Sequence, residues 1–205
     1  MKVLILGATG RTGVYLIEQT LAAGHIVTAF VREAGKLHTQ SPRLSETVGD
    51  AHSSQDLERA LTGQDAILSA LGSNKPGDNL ILQSTRALID AMHQTGVRRI
   101  IMLSSFLVSP QLKKTGFTRV VSRFTKSLVE DKASGEDLLK QSDLDWTIVY
   151  ATRLDGAPPG EYRVVDPAET VHLQNAIARE DVAEFMISQL DNADSIQKTL
   201  LITSK

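Results

Sequence analysis

The sequence predicts an α/β protein built on a doubly wound, mainly parallel sheet with helices on both faces. Three observations predict it. Apolar runs of strand length recur along the 205 residues. Several are too continuous to be antiparallel strands with one wet face. Between them lie segments whose apolar residues follow helical spacing, and a strand–helix alternation of this kind closes into a parallel sheet with its crossovers packed above and below.

Val3–Leu6 is the first strand candidate, and Val14, Leu16, Ile17 and Leu21 mark the helix after it. Gly24 stands where that helix should stop, ahead of a second strand at Ile26–Val31. Leu57 and Leu61 give a short helix before Ala66–Ser69; Leu80, Leu88, Ile89 and Met92 give a longer one, stopped at Gly96, before Ile100–Leu103. The last strong strand is Trp146–Tyr150, with Trp146 expected in the core. Two stretches break the alternation. Phe106–Ser127 reads as a long connection to the next helix, and "RLDGAPPGEYRVV", Arg153 to Val165, reads as turns with a short strand. Both begin at strand carboxyl ends, the edge where open parallel sheets bind ligands, so they are expected to wall a small C-terminal substrate region. No repeat or linker divides the chain, and residues 1–205 read as a single domain.

Composition narrows the function classes. A net charge of -2 supplies no overall basic surface for DNA. Zero cysteines exclude disulfides, thiolate zinc sites and a cysteine nucleophile, and fit a reducing compartment. His25, His38, His52, His93 and His172 are scattered without ligand spacing, so no metal site is expected. The N-terminal apolar run is too short for an export signal, and nothing approaches the roughly 20 apolar residues of a membrane span. These features suggest a soluble, cytoplasmic protein.

"KVLILGATGRTG", Lys2 to Gly13, carries the sharpest signal. Gly7 and Gly10 permit a tight turn and close backbone approach to a pyrophosphate, and Gly13 permits close packing of the next helix. That helix then presents its unpaired N–H groups to anionic oxygens, with the hydroxyls of Thr9 and Thr12 beside them. About 20 residues on, where an NAD enzyme places an acid for the ribose 2′-OH, the chain reads "TAFVRE", with Arg32 at the critical position. A guanidinium clamps a 2′-phosphate that an acid would repel, so Arg32 points to NADP(H), with Arg11 in reach of the same phosphate or the pyrophosphate.

The G-x-x-G-x-x-G loop, with "VREAGKL", "VGDAHSSQDL", "SALGS", "IIMLSS" and "SDLDWTIV" in that order, resembles the atypical short-chain dehydrogenase/reductase family of NAD(P)H-binding, NmrA-like and flavin reductase (biliverdin-IXβ reductase)-like proteins. The resemblance implies a Rossmann-like fold. It implies that Asp50 and Ala51 lie by the adenine, that Ala70, Leu71 and Gly72, running into Ser73, pass the ribose and pyrophosphate, and that Lys132 lies near the nicotinamide ribose. It also implies that Ser104 and Ser105, ending the fifth strand, order the reacting face. Around Lys132, the charges of Glu130, Asp131 and Glu136 read as a solvated helix face, which would instead leave the lysine in water.

The sequence departs from ordinary short-chain dehydrogenases in one respect. None of Tyr15, Tyr150 and Tyr162 is followed by Lys four positions later, so the usual phenolic acid of carbonyl reduction is missing. Flavins and bilins can take a hydride without it. Thr152 and Arg153 stand where such relatives carry Pro and then His or Arg, and Arg153 is a candidate for an acceptor's acidic group. From Ala91 to Val129 there is no Asp or Glu, while Lys113, Lys114, Arg119, Arg123 and Lys126 accompany Phe117 and Phe124. Together with Phe106, this suits an anionic, planar acceptor, and the charge run equally suits a solvated loop or a partner-binding surface, with RNA binding a lesser option. The expectation is an NADPH-dependent oxidoreductase passing hydride to a flavin, bilin or quinone. The alternatives are a non-catalytic NADP(H)-sensing regulator with a protein partner and, less favoured, a sugar-nucleotide epimerase-like enzyme.

Overall fold

The computed structural model describes residues 1–72, 77–112, 116–154 and 157–205, with side chains left out for 116–125. Eight strands form one sheet in the order β3-β2-β1-β4-β5-β6-β8-β7. They are β1 (Lys2–Leu6), β2 (Ile26–Val31), β3 (Leu44–Val48), β4 (Ala66–Ser69), β5 (Arg99–Ser105), β6 (Asp145–Ala151), β7 (Tyr162–Val164) and β8 (Lys198–Ser204). Every pairing is parallel except β7 with β8. The chain steps outward from β1 to β3, then returns to β4 on the other side of β1. That reversal opens a crevice at the carboxyl ends of β1 and β4.

Strand alternation sorts the core into two layers. Leu4, Leu6, Ile67, Ile100, Met102, Ile148 and Tyr150 pack under α2 (Ser54–Leu61), α3 (Leu80–Thr95) and α4 (Gly116–Lys140). Val3, Ile5, Leu68, Ile101, Leu103 and Val149 pack under α1 (Gly13–Ala22) and α5 (Arg179–Ser188). Strands buried on both faces explain the continuous apolar runs. Trp146 is in the first layer. Gly96, at φ +75°, ends α3 through a left-handed residue, as glycine does best.

The structure corrects the sequence in the Phe106–Ser127 stretch. Only its first part is a connection, because α4 starts at Gly116 and runs 25 residues. The β-branched Thr118, Val120 and Val121 weaken local helix propensity, which is why the sequence reads as a connection there. The supposed solvated face around Lys132 is also corrected: Asp131 and Glu136 are buried. β3, α5 and β8 carried no independent signal. β3 is an edge strand, half-exposed to exposed along its length, so it lacks an apolar run. No helix among the described residues is long and apolar enough to cross a membrane.

Candidate functional site

The β1–α1 turn lies in the crevice. Gly7 adopts φ +75°, and a Cβ there would come within 2.6 Å of the Ala70 carbonyl oxygen at the end of β4. The turn is thus pressed between the two strand ends by the absence of a side chain. Thr12, the residue before α1, makes no side-chain cap, and the first turn of α1 has no acidic residue. An uncapped N-terminus with its partial positive charge fits a phosphate. Thr9, Gly10 and Arg11 are exposed, whereas Thr12 and Gly13 are buried.

Beside this turn is a cavity of about 210 Å³ lined by Thr9, Gly10, Arg11, Val14, Ile17 and the Lys36–Thr39 segment that follows β2. Arg32 is exposed one residue beyond β2. Lys36 pairs with Glu33 at 3.3 Å. The cavity lining therefore includes the cationic Lys36 and the imidazole of His38, which the sequence had not marked as site residues. Asp50 is exposed, and its backbone N–H donates to Asp56 at 2.9 Å; Ala51 is buried. Ala70 and Leu71 are half-buried, and Gly72 is exposed with open space where a Cβ would be. Ser73 lies outside the described residues.

A second group of residues gathers on the α3/α4 side of the sheet. The β5–β6 register sets Ser104 opposite Tyr150, and both hydroxyls donate to the buried carboxylate of Glu136, at 2.5 and 2.6 Å. Lys140 Nζ donates to the same carboxylate at 3.2 Å. Lys132, Glu136 and Lys140 stand at four-residue intervals on α4, which stacks them along one helix face. This spacing was the signal that sequence reasoning passed over. A cavity of about 10 Å³, room for one water, is lined by Ser69, Leu71, Ser84, Thr85, Ser104, Lys132 and Glu136, with apolar neighbours.

Burial pushes the Lys132 ammonium below its ordinary pKa, and the carboxylates of Glu136 and Asp131 oppose the shift in part. Burial, reinforced by the hydrogen bond to Glu136, drives the Tyr150 phenol well above its usual range, so it stays a donor. Asp131 accepts from the backbone N–H groups of Ile81 and Leu82 at 3.0 and 2.9 Å, capping α3.

The other sequence candidates divide. Ser105 points to the opposite face from Ser104, and its hydroxyl accepts from the Leu107 N–H at 3.3 Å. Phe106 is buried in the core. Arg153 is exposed, with its backbone in an isolated bridge to Ala176. Lys113, Lys114 and the Arg153 neighbour Asp155 lie outside the described residues, as do the side chains of Phe117, Arg119, Arg123 and Phe124. Among the described residues, no cluster of three His, Asp or Glu side chains could hold a metal ion.

Comparison with known proteins agrees with this geometry. A relative from Arabidopsis thaliana, an uncharacterised chloroplastic protein, is 30% identical over all of this chain and 77% of its own length. A short-chain dehydrogenase/reductase from Veillonella parvula, solved in complex with NADP, superposes with a TM-score of 0.81 at 18% identity, covering all of this chain and 94% of that one. The anaerobilin reductase ChuY of Escherichia coli O157:H7 superposes at 0.79 with 23% identity, covering 98% and 96%. At those identities the two likenesses speak for the Rossmann fold. The NAD(P)H-binding family model matches residues 7–193, and the chain belongs to that family.

Proposed function

We propose that the protein is an NADPH-dependent oxidoreductase that reduces a planar conjugated acceptor of the flavin, bilin or quinone type. The observation that carries this reading is that two devices share the carboxyl edge of the sheet: an uncapped helix N-terminus in a glycine turn, and a buried Ser104–Glu136 pair next to Lys132. The first suits a diphosphate and the second suits proton handling. When bound, reduced nicotinamide would supply the hydride.

The chain's own residues would do the rest. Gly7, Gly10 and Gly13, with Thr9 and Thr12, hold the diphosphate; Arg11 and Arg32 neutralise the 2′-phosphate and favour NADPH over NADH. Asp50 and Ala51 border the adenine, and Ala70 to Gly72 follow the ribose and pyrophosphate. Ser104 orients the reacting face, and Lys132 Nζ holds the proton that follows the hydride. Arg153 belongs to the acceptor wall. That a bilin reductase has this fold is consistent with such an acceptor.

A second reading has one observation in its favour. The cavity beside Ser104 has room for a single water rather than an acceptor, as expected of a protein that senses NADP(H) and signals to a protein partner. Oxidation of NADPH, followed with FMN, riboflavin, biliverdin and simple quinones, separates the two. Turnover with one of them supports the enzyme, and tight NADPH binding without turnover across the panel supports the sensor.

A further inference from the structure

We propose that Glu136 is the positioning residue of the site: from one buried carboxylate it fixes the Ser104 hydroxyl and supports the charge of Lys132, so that a proton is held ready on Lys132 Nζ. The inference rests on the oxidoreductase reading and deepens it by naming the residue that keeps the proton source in place.

Glu136 is 1% exposed and takes hydrogen bonds from three side chains, one each from β5, β6 and α4. Its Oε1 accepts from Ser104, and its Oε2 accepts from both Tyr150 and Lys140. A buried carboxylate is costly unless its lone pairs are filled, and three donors fill them here. The arrangement is more than structural because the same carboxylate lines the small cavity with Lys132 and Ser104. Lys132 loses hydration there, and Glu136 is the first of the charges that hold its proton on. Among the described residues, the charged groups facing Lys132 are Asp131 and Glu136, both on α4. From β4, α3 and β5 it meets the uncharged Ser69, Ser84, Thr85 and Ser104. Glu136 in turn faces Lys140 and Tyr150, and the charge of Asp137 also reaches Tyr150.

A Lys-x-x-x-Glu pair thereby takes the part of the absent Tyr-x-x-x-Lys pair. The proton balance is simple. When the acceptor's conjugated system takes the hydride, an electron pair moves to its heteroatom. The N–H bond of the Lys132 ammonium breaks, its electrons stay on nitrogen, and the proton joins that heteroatom. The neutral amine left behind regains a proton from water.

The experiment uses the full chain with 13C-labelled lysine, following the Lys132 Cε resonance against pH in wild type and Glu136→Gln, without cofactor. The expected result is that Lys132 deprotonates about one pH unit lower in the variant. Where acceptor turnover is measurable, kcat falls about 10- to 100-fold with the KM for NADPH unchanged, and the alkaline limb of the pH profile moves down with Lys132. Glu136→Asp, which keeps the charge, returns the Lys132 titration toward wild type. If Glu136→Gln does not fold, Glu136→Asp decides, because a carboxylate drawn back by one methylene must still move the Lys132 titration part of the way. A Lys132 titration indifferent to both variants overturns the proposal. Failure of the oxidoreductase reading looks different: NADPH consumption stays absent across the acceptor panel, whereas the lysine titration is read in ligand-free protein.

Discussion

A β-carbon on Gly13 would stand 2.1 Å from the carbonyl oxygen of Gly7, nearer than any real side chain is tolerated. The first turn of α1 is therefore seated directly on the turn that precedes it. Gly13→Ala forces backbone against backbone and is expected to cost about 3 kcal/mol or more of folding stability, measured by urea denaturation. Gly72 gives the control. A Cβ there meets nothing within 4 Å, so Gly72→Ala should leave the urea midpoint unchanged and weaken NADPH only if this loop touches the cofactor.

Arg32→Ala tests the choice of cofactor. Hydrogen bonds from a guanidinium to a phosphate contribute about 1.5–3 kcal/mol, so the ratio of NADPH to NADH affinity should fall roughly 10- to 100-fold, read by titration calorimetry with each nucleotide. Arg32 is exposed and beyond the end of β2, so its loss should not disturb the fold. An unchanged ratio removes Arg32 from the phosphate site.

The sheet was legible because its central strands are buried on both faces and so read as unbroken apolar runs, as Val3–Leu6 and Ile100–Leu103 do. The glycine turn was legible for a related reason: backbone contact at Gly7 and Gly13 leaves no other residue possible. What escaped was polar and non-local. Glu136 looks like any surface glutamate until β5 and β6 bring Ser104 and Tyr150 to it. Lys132 read as solvated because charged neighbours usually mean water, and here two of those neighbours are buried. β3 escaped because an exposed edge strand has no reason to be apolar.

Asp131 supplies the N-terminal cap that α3 lacks in its own sequence. Asn79, which precedes the helix, sits at φ 48° and makes no side-chain cap, while Asp131 takes both the Ile81 and Leu82 N–H groups from about 50 residues along the chain. Asp131→Ala leaves two donors without that partner and should destabilise by about 1–3 kcal/mol. Asp131→Asn keeps an accepting oxygen and should cost less. Equal losses in urea denaturation would mean that the two bonds are not what holds α3 to α4.

Stability should decline in acid for a reason visible at three carboxylates. The Asp50 N–H holds Asp56 below its ordinary pKa, hydrogen bonds from His93 and then Arg98 do so for Asp143, and Arg163 does so for Glu169. In each case the unfolded chain binds protons more readily than the folded one. The stabilisation is therefore complete above the unfolded carboxylate range near pH 4 and disappears as pH falls through the lower folded values. Asp143→Asn and Glu169→Gln should lower the urea midpoint at pH 7 yet match wild type near pH 3, flattening the acid limb. All three groups are solvent-accessible to a degree that lets salt screen them, so the difference should shrink at about 1 M NaCl. A wild-type acid limb that keeps its full depth in the double variant would place the acid sensitivity elsewhere in the chain.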